Sequence, residues 1–148
     1  SGSGSYITGS SGPNAFLYQP DTATMTALPL LEGWTESLAY SVNDLGWVVG
    51  VGGDITSIPF LFDGTSTYSL QGLLTGSDSF RWDMTNGTGN AALGISDNGI
   101  ITGRALYDGV TTGFVMVPNS PIPEPSTWAL LAVGLLVILG VLRGKKAA

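Results

Sequence analysis

Through the first 117 residues, apolar positions alternate with polar or small ones in short runs, and the runs return in the same order. The clearest set is Leu38-Ala39-Tyr40-Ser41-Val42, then Asn43-Asp44-Leu45-Gly46, then Trp47-Val48-Val49-Gly50-Val51. Alternation of period two predicts a half-buried strand over 38–42, and the apolar run over 47–51 reads as a second strand. The Asn-Asp-Leu-Gly segment between them predicts a tight hairpin, with a side-chain acceptor and a glycine for positive φ. Pro59-Phe60-Leu61-Phe62 and Thr67 to Leu70 read as a third and a fourth strand.

The set recurs. Ser41 to Gly50 aligns with Gly94-Ile95-Ser96-Asp97-Asn98-Gly99-Ile100-Ile101-Thr102-Gly103, and Ser5-Tyr6-Ile7-Thr8-Gly9 is a partial copy. An apolar strand follows each: Ala15-Phe16-Leu17-Tyr18, Pro59 to Phe62, and Gly113-Phe114-Val115-Met116. Thr24-Met25-Thr26-Ala27-Leu28 matches Thr67-Tyr68-Ser69-Leu70, and Leu30-Leu31-Glu32-Gly33 matches Leu73-Leu74-Thr75-Gly76. The repeats cover about 5–33, 38–76 and 91–117, with an extended loop expected around 86–90. A four-stranded meander of about 40–50 residues has the scale of a β-propeller blade. About two and a half units are present, whereas closure takes at least about four. Residues 1–117 are therefore expected to form an all-β repeat domain of propeller-blade-like four-stranded meanders, not closed in this chain. Such a domain is the tail of a longer propeller, an open sheet or sandwich, or a unit completed by assembly through its exposed strand edges. The chain opens at Ser1 inside a partial repeat, so a longer reading frame or prior processing is expected.

At 118 the pattern changes. Pro121, Pro123 and Pro125 fix φ and predict an extended, exposed linker over 118–125. Residues 126–142 carry no charge and predict one C-terminal transmembrane α-helix. At 1.5 Å per residue it spans roughly 25 Å, near the short end for a hydrocarbon core. Trp128 sits where an interfacial aromatic is expected, and Ser126 or Thr127 can cap the helix. Arg143, Lys145 and Lys146 follow, in a tail over 143–148. By the positive-inside rule that tail is cytoplasmic, and everything before Pro121 lies across the membrane.

Composition narrows the function. Before Pro121 there are two bases, Arg81 and Arg104, against ten acids, a net of −8. That argues against a nucleic-acid partner, which needs cations for phosphate. Cysteine and histidine are both absent. This removes disulfides, thiol chemistry, the usual metal ligand and the usual general base near neutral pH. No G-x-S-x-G elbow or phosphate-cradling loop occurs. Asp44 and Asp97 could converge as a carboxylate pair, but matching turns explain them better. Asp44, Asp63, Asp97 and Asp108 are hard oxygen donors suited to calcium, yet no Asp-x-Asp-x-Asp-Gly spacing is present. No enzyme activity, metal or cofactor is expected. Trp34, Trp47, Trp82, Tyr18, Tyr40 and Tyr68 could offer flat faces to sugar rings. Of these, Trp34 and Trp82 follow similar loops and are the better exposed candidates for carbohydrate contact.

Pro123-Glu124-Pro125, one apolar helix and a basic end resemble the PEP-CTERM sorting signal of Gram-negative bacteria. The resemblance covers 121–146. It implies that an exosortase, a membrane-embedded cysteine transpeptidase, recognises Pro123, Glu124 and Pro125 and removes the helix. It further implies an inner-membrane intermediate, then a cell-surface or extracellular product, often in bacteria that make exopolysaccharide. Separately, Ala39-Tyr40-Ser41-Val42-Asn43-Asp44 through Gly50 resembles the extracellular HAF family, with Asn14-Ala15-Phe16 and Ile58-Pro59-Phe60 where that family has His-Ala-Phe. This resemblance spans about 6–117 and implies a surface protein of tandem β repeats with no assigned activity.

Together these point to an exported protein of the cell surface or biofilm matrix with a structural or adhesive role. Its expected partners are the exosortase, the membrane before processing, and exopolysaccharide or other copies of itself. The alternatives are the C-terminal part of a propeller enzyme with its catalytic residues upstream, and an uncleaved membrane-anchored binding domain.

Overall fold

A computed structural model describes residues 1–119. Eleven short strands form three antiparallel sheets. The first sheet is β1 (Ile7–Ser11), β2 (Asn14–Gln19) and β3 (Thr24–Ala27), in that order. The second is β4 (Glu36–Val42), β5 (Val48–Gly53), β6 (Ile58–Phe62) and β7 (Thr67–Ser69), a four-stranded meander. In the third, β10 (Ile101–Tyr107) lies between β11 (Val110–Met116) and an opposite edge shared by β9 (Ala91–Ile95) and β8 (Trp82–Asp83). A four-residue helix, α1 (Leu70–Leu73), follows β7; Ser69 caps it by accepting from the Gly72 N–H. The all-β, unclosed architecture read from the sequence is observed, with strand bounds shifted by one or two residues.

The sheets correspond position by position. Ile7, Val48 and Ile101 are equivalent; so are Phe16, Phe60 and Phe114, and the glycines 9, 50 and 103. By pairing, β1, β2 and β3 match β5, β6 and β7, and β9, β10 and β11 match β4, β5 and β6. The register makes Leu28 the equivalent of Leu70, and both are buried.

Each sheet packs a trailing face against the leading face of the next. Ala15, Leu17 and Leu28 of the first repeat meet Val42, Val48, Phe60 and Phe62 of the second. Val49, Leu61 and Leu70 of the second meet Ala92, Ile101, Phe114 and Met116 of the third. Strand β5 is thus covered on both faces, Val48 toward the first sheet and Val49 toward the third. This is why it reads as an unbroken run of Val and Gly instead of an alternating one.

The repeated glycine has a specific cause. A Cβ on Gly50 would lie 2.0 Å from the Leu38 carbonyl oxygen, and one on Gly103 would lie 2.2 Å from the Ala91 carbonyl oxygen. Leu38 and Ala91 are equivalent residues on β4 and β9, whose registers both slip beside these glycines. Close approach of the neighbouring backbone excludes any side chain there.

Among the described residues no helix is long and apolar enough to cross a membrane. The linker over 118–125 lies mostly outside the described residues, as do the helix expected over 126–142 and the basic tail over 143–148.

Candidate functional site

The hairpin turns stack on one another. In the second repeat, buried Asn43 closes its own turn: Oδ1 accepts from the Leu45 and Trp47 N–H groups at 3.1 and 2.9 Å. Ser96 does the same in the third repeat, its Oγ accepting from Ile100 N–H at 3.0 Å. Gly46 and Gly99, both at φ +77°, allow the chain to reverse. The acceptor inside each turn is therefore the Asn or Ser, not the Asp that follows it.

The Asp is used between repeats. Asp97 Oδ1 accepts from the Asp44 N–H at 2.8 Å. Asp44 Oδ1 in turn accepts from the Ser3 N–H at 3.0 Å and the Ser3 hydroxyl at 2.8 Å. Ser3, Asp44 and Asp97 occupy equivalent positions, so one contact occurs twice as a ladder. Asn43 adds a second rung by donating to the Ser96 carbonyl at 3.1 Å. The hydrogen bonds from Ser3, backbone first, hold the Asp44 carboxyl below the usual carboxylate range. Asp44 and Asp97 do come together, but each carboxylate is engaged by the turn before it.

Beside this ladder, between β1 and β4, an open cleft of about 460 Å³ is lined by Tyr6, Ile7, Thr8, Tyr40, Ser41, Val42 and the N-terminal Ser1, Gly2 and Gly4. Its walls combine two phenol rings with hydroxyls. Tyr40 stands half exposed there. The signal for Tyr6 in the sequence is its alignment with Trp47, which marks an aromatic position.

Trp34 and Trp82 are half-buried. Trp34 lies over Gly52, where a Cβ would come within 2.1 Å of the indole, and meets Phe60 edge-on at 6.1 Å. Trp82 packs against Tyr107 at 4.8 Å and Phe114 at 6.1 Å. Each indole flanks one of the two cores.

The remaining carboxylates have local work. Asp63 accepts from the Thr65 and Ser66 N–H groups, both at 2.9 Å, and these bonds lower its pKa. Asp108 pairs with Arg81, whose Nε donates at 3.0 Å while its guanidinium lies 4.3 Å from the Tyr107 ring centroid. Asp83 organises the loop over 83–90. It accepts from the Asn86 side chain at 2.7 Å, the Thr85 N–H at 2.9 Å and the Asn86 N–H at 3.0 Å, which lowers its pKa to about 2. The loop's carbonyls then accept from the Ser57 hydroxyl and Arg104 Nε, tying it to the second and third sheets. Among the described residues no three acidic side chains gather as a metal site.

The sorting residues Pro123, Glu124 and Pro125, and the orienting cations Arg143, Lys145 and Lys146, lie outside the described residues. Residues 121–146 match the PEP-CTERM protein-sorting motif. No curated protein and no solved structure matches the chain. The motif marks the chain as a substrate for exosortase-type sorting, a membrane-anchored processing step that leads to the cell surface or exterior and is typical of Gram-negative bacteria.

Proposed function

We propose that the chain is a structural or adhesive component of the cell surface or extracellular matrix, displayed through exosortase processing. The observation that carries this reading is the sorting motif at 121–146, directly behind a β unit over Ser1–Val117. Pro123, Glu124 and Pro125 are the recognised segment. Residues 126–142 hold the intermediate in the inner membrane, with Arg143, Lys145 and Lys146 on the cytoplasmic side. The β unit is of the HAF type, in keeping with Ala39 to Gly50 and with the threefold equivalence of its sheets. It carries no catalytic activity of its own.

Exopolysaccharide is the polymer partner this role calls for. Tyr6 and Tyr40 flank an open cleft with hydroxyls between them, which suits the mixed apolar and polar face of a sugar ring. The solvent-facing parts of Trp34 and Trp82 are the secondary contacts.

The test is localisation in an exopolysaccharide-producing host. The protein is expected in the matrix fraction, and its deletion is expected to lower matrix cohesion. Free protein in the medium, with an unchanged matrix, would count against a structural role.

A further inference from the structure

We propose that the leading face of the first sheet receives the trailing face of the third sheet of a second copy, closing a ring from two chains. This rests on the equivalence of the sheets and is independent of the sorting signal.

Ile7, Phe16, Tyr18 and Met25 share one face of the first sheet, by the pairs Ile7–Tyr18, Gly9–Phe16 and Tyr18–Met25. In the second sheet the equivalent Val48, Phe60 and Phe62 are buried against the first, and in the third the equivalent Ile101 and Phe114 are buried against the second. On the first sheet this face is less covered, with Ile7 50% exposed, Phe16 and Tyr18 half-buried, and the neighbouring Met25 58% exposed. At the other end, Val115 of the third sheet is 67% exposed. Its equivalents Leu17 and Leu61 both pack into the next sheet's core. One end thus presents an uncovered leading face and the other an uncovered trailing face, and two internal junctions show how such faces fit.

The ladder supplies a second, polar coordinate. The step from Ser3 to Asp44 and from Asp44 to Asp97 is the same step made twice. A third step brings the Asp97 turn of one copy to Ser3 of the other.

A head-to-tail contact of this kind generates a ring if it closes and a filament if it does not. Each copy contributes three sheets. Two copies make six, inside the range of about four to eight blades that close, whereas three copies make nine. The occupant is therefore one further copy.

The chain has no cysteine, so introduced thiols report without background. Ser3→Cys with Asp97→Cys, in the full-length protein in mild detergent, is expected to oxidise to a covalent dimer. Asp44→Cys with Asp97→Cys is expected to close within one chain and serves as the geometric control. Light scattering should give a protein mass of two chains, halved by Met25→Glu and independently by Val115→Glu, with the circular dichroism of both variants unchanged. A monomer throughout, a dimer indifferent to both variants, or a ladder of larger species would each overturn the proposal. An upstream blade as the true occupant would give the first of these outcomes.

Discussion

The Asp44 N–H donates to Asp97 Oδ1 at 2.8 Å, joining two residues 53 positions apart that hold the same place in successive repeats. An ordinary turn residue has become the fastener between repeats. Asp97→Ala is expected to cost about 1 kcal/mol in urea unfolding, the usual net value of one hydrogen bond. Asp97→Asn, which keeps an acceptor oxygen, should cost less than half of that. Equal losses for both variants would mean that the charge matters and the bond does not.

The three repeat glycines should not respond alike. Gly50→Ala and Gly103→Ala drive a methyl into a carbonyl oxygen of the adjoining strand, which cannot swing aside. A loss of about 3 kcal/mol or more is expected for each. At Gly9 the nearest atom is the tip of the Phe16 ring at 3.0 Å, and that ring can turn. Gly9→Ala should cost about 1 kcal/mol or less, as judged by the denaturant midpoint.

Acid should loosen the loop over 83–90 in a defined window. The Asp83 carboxyl, ordinarily near 3.8, is lowered to about 2 in the fold by the hydrogen bonds it accepts from Asn86 and Thr85. A depressed folded-state pKa contributes stability above the unfolded value, and that contribution is lost as pH falls through the folded one. Its share is therefore fully present above about pH 4 and disappears toward pH 2. Asp83→Asn should lower stability at neutral pH and flatten the profile between those limits. Thermal melts across the window test this.

Stability and glycan retention should separate among the aromatics. Trp34→Ala removes a ring packed on Gly52 and Phe60 and should cost about 3 kcal/mol. Tyr40→Ala removes a half-exposed ring at the cleft and should leave the unfolding midpoint within about 0.5 kcal/mol while weakening retention on the host's exopolysaccharide in affinity electrophoresis. Retention that survives Tyr40→Ala would remove the cleft as the glycan site.

How much of this was legible depended on which signals are local. The Val-Val-Gly and Ile-Thr-Gly strands, their turns and the following Phe positions keep nearly the same spacing within each repeat, so the repeat and most strand bounds are local signals. The burial of Trp34 and Trp82 depends on non-local contacts. Both follow glycine-containing loops, which suggests exposure, and nothing nearby in sequence says that Trp34 turns back over Gly52 on a different strand. The Asp44–Asp97 contact is visible in the sequence only as two aspartates at matching turn positions. The division of labour, with Asn43 and Ser96 closing the turns and the aspartates reaching the next repeat, depends on how the sheets stack. No single repeat contains that information.

Sorting through residues 121–146 carries this β unit to the cell surface or exterior. It is tested most directly by intact mass and fractionation in an exosortase-bearing host, with the native chain beside a variant carrying Pro123→Ala, Glu124→Ala and Pro125→Ala. The native chain should lose its apolar segment and leave the inner membrane, while the variant remains full-length and embedded. If both remain full-length in the membrane, the tripeptide is not a processing signal and the chain is a permanently anchored surface domain.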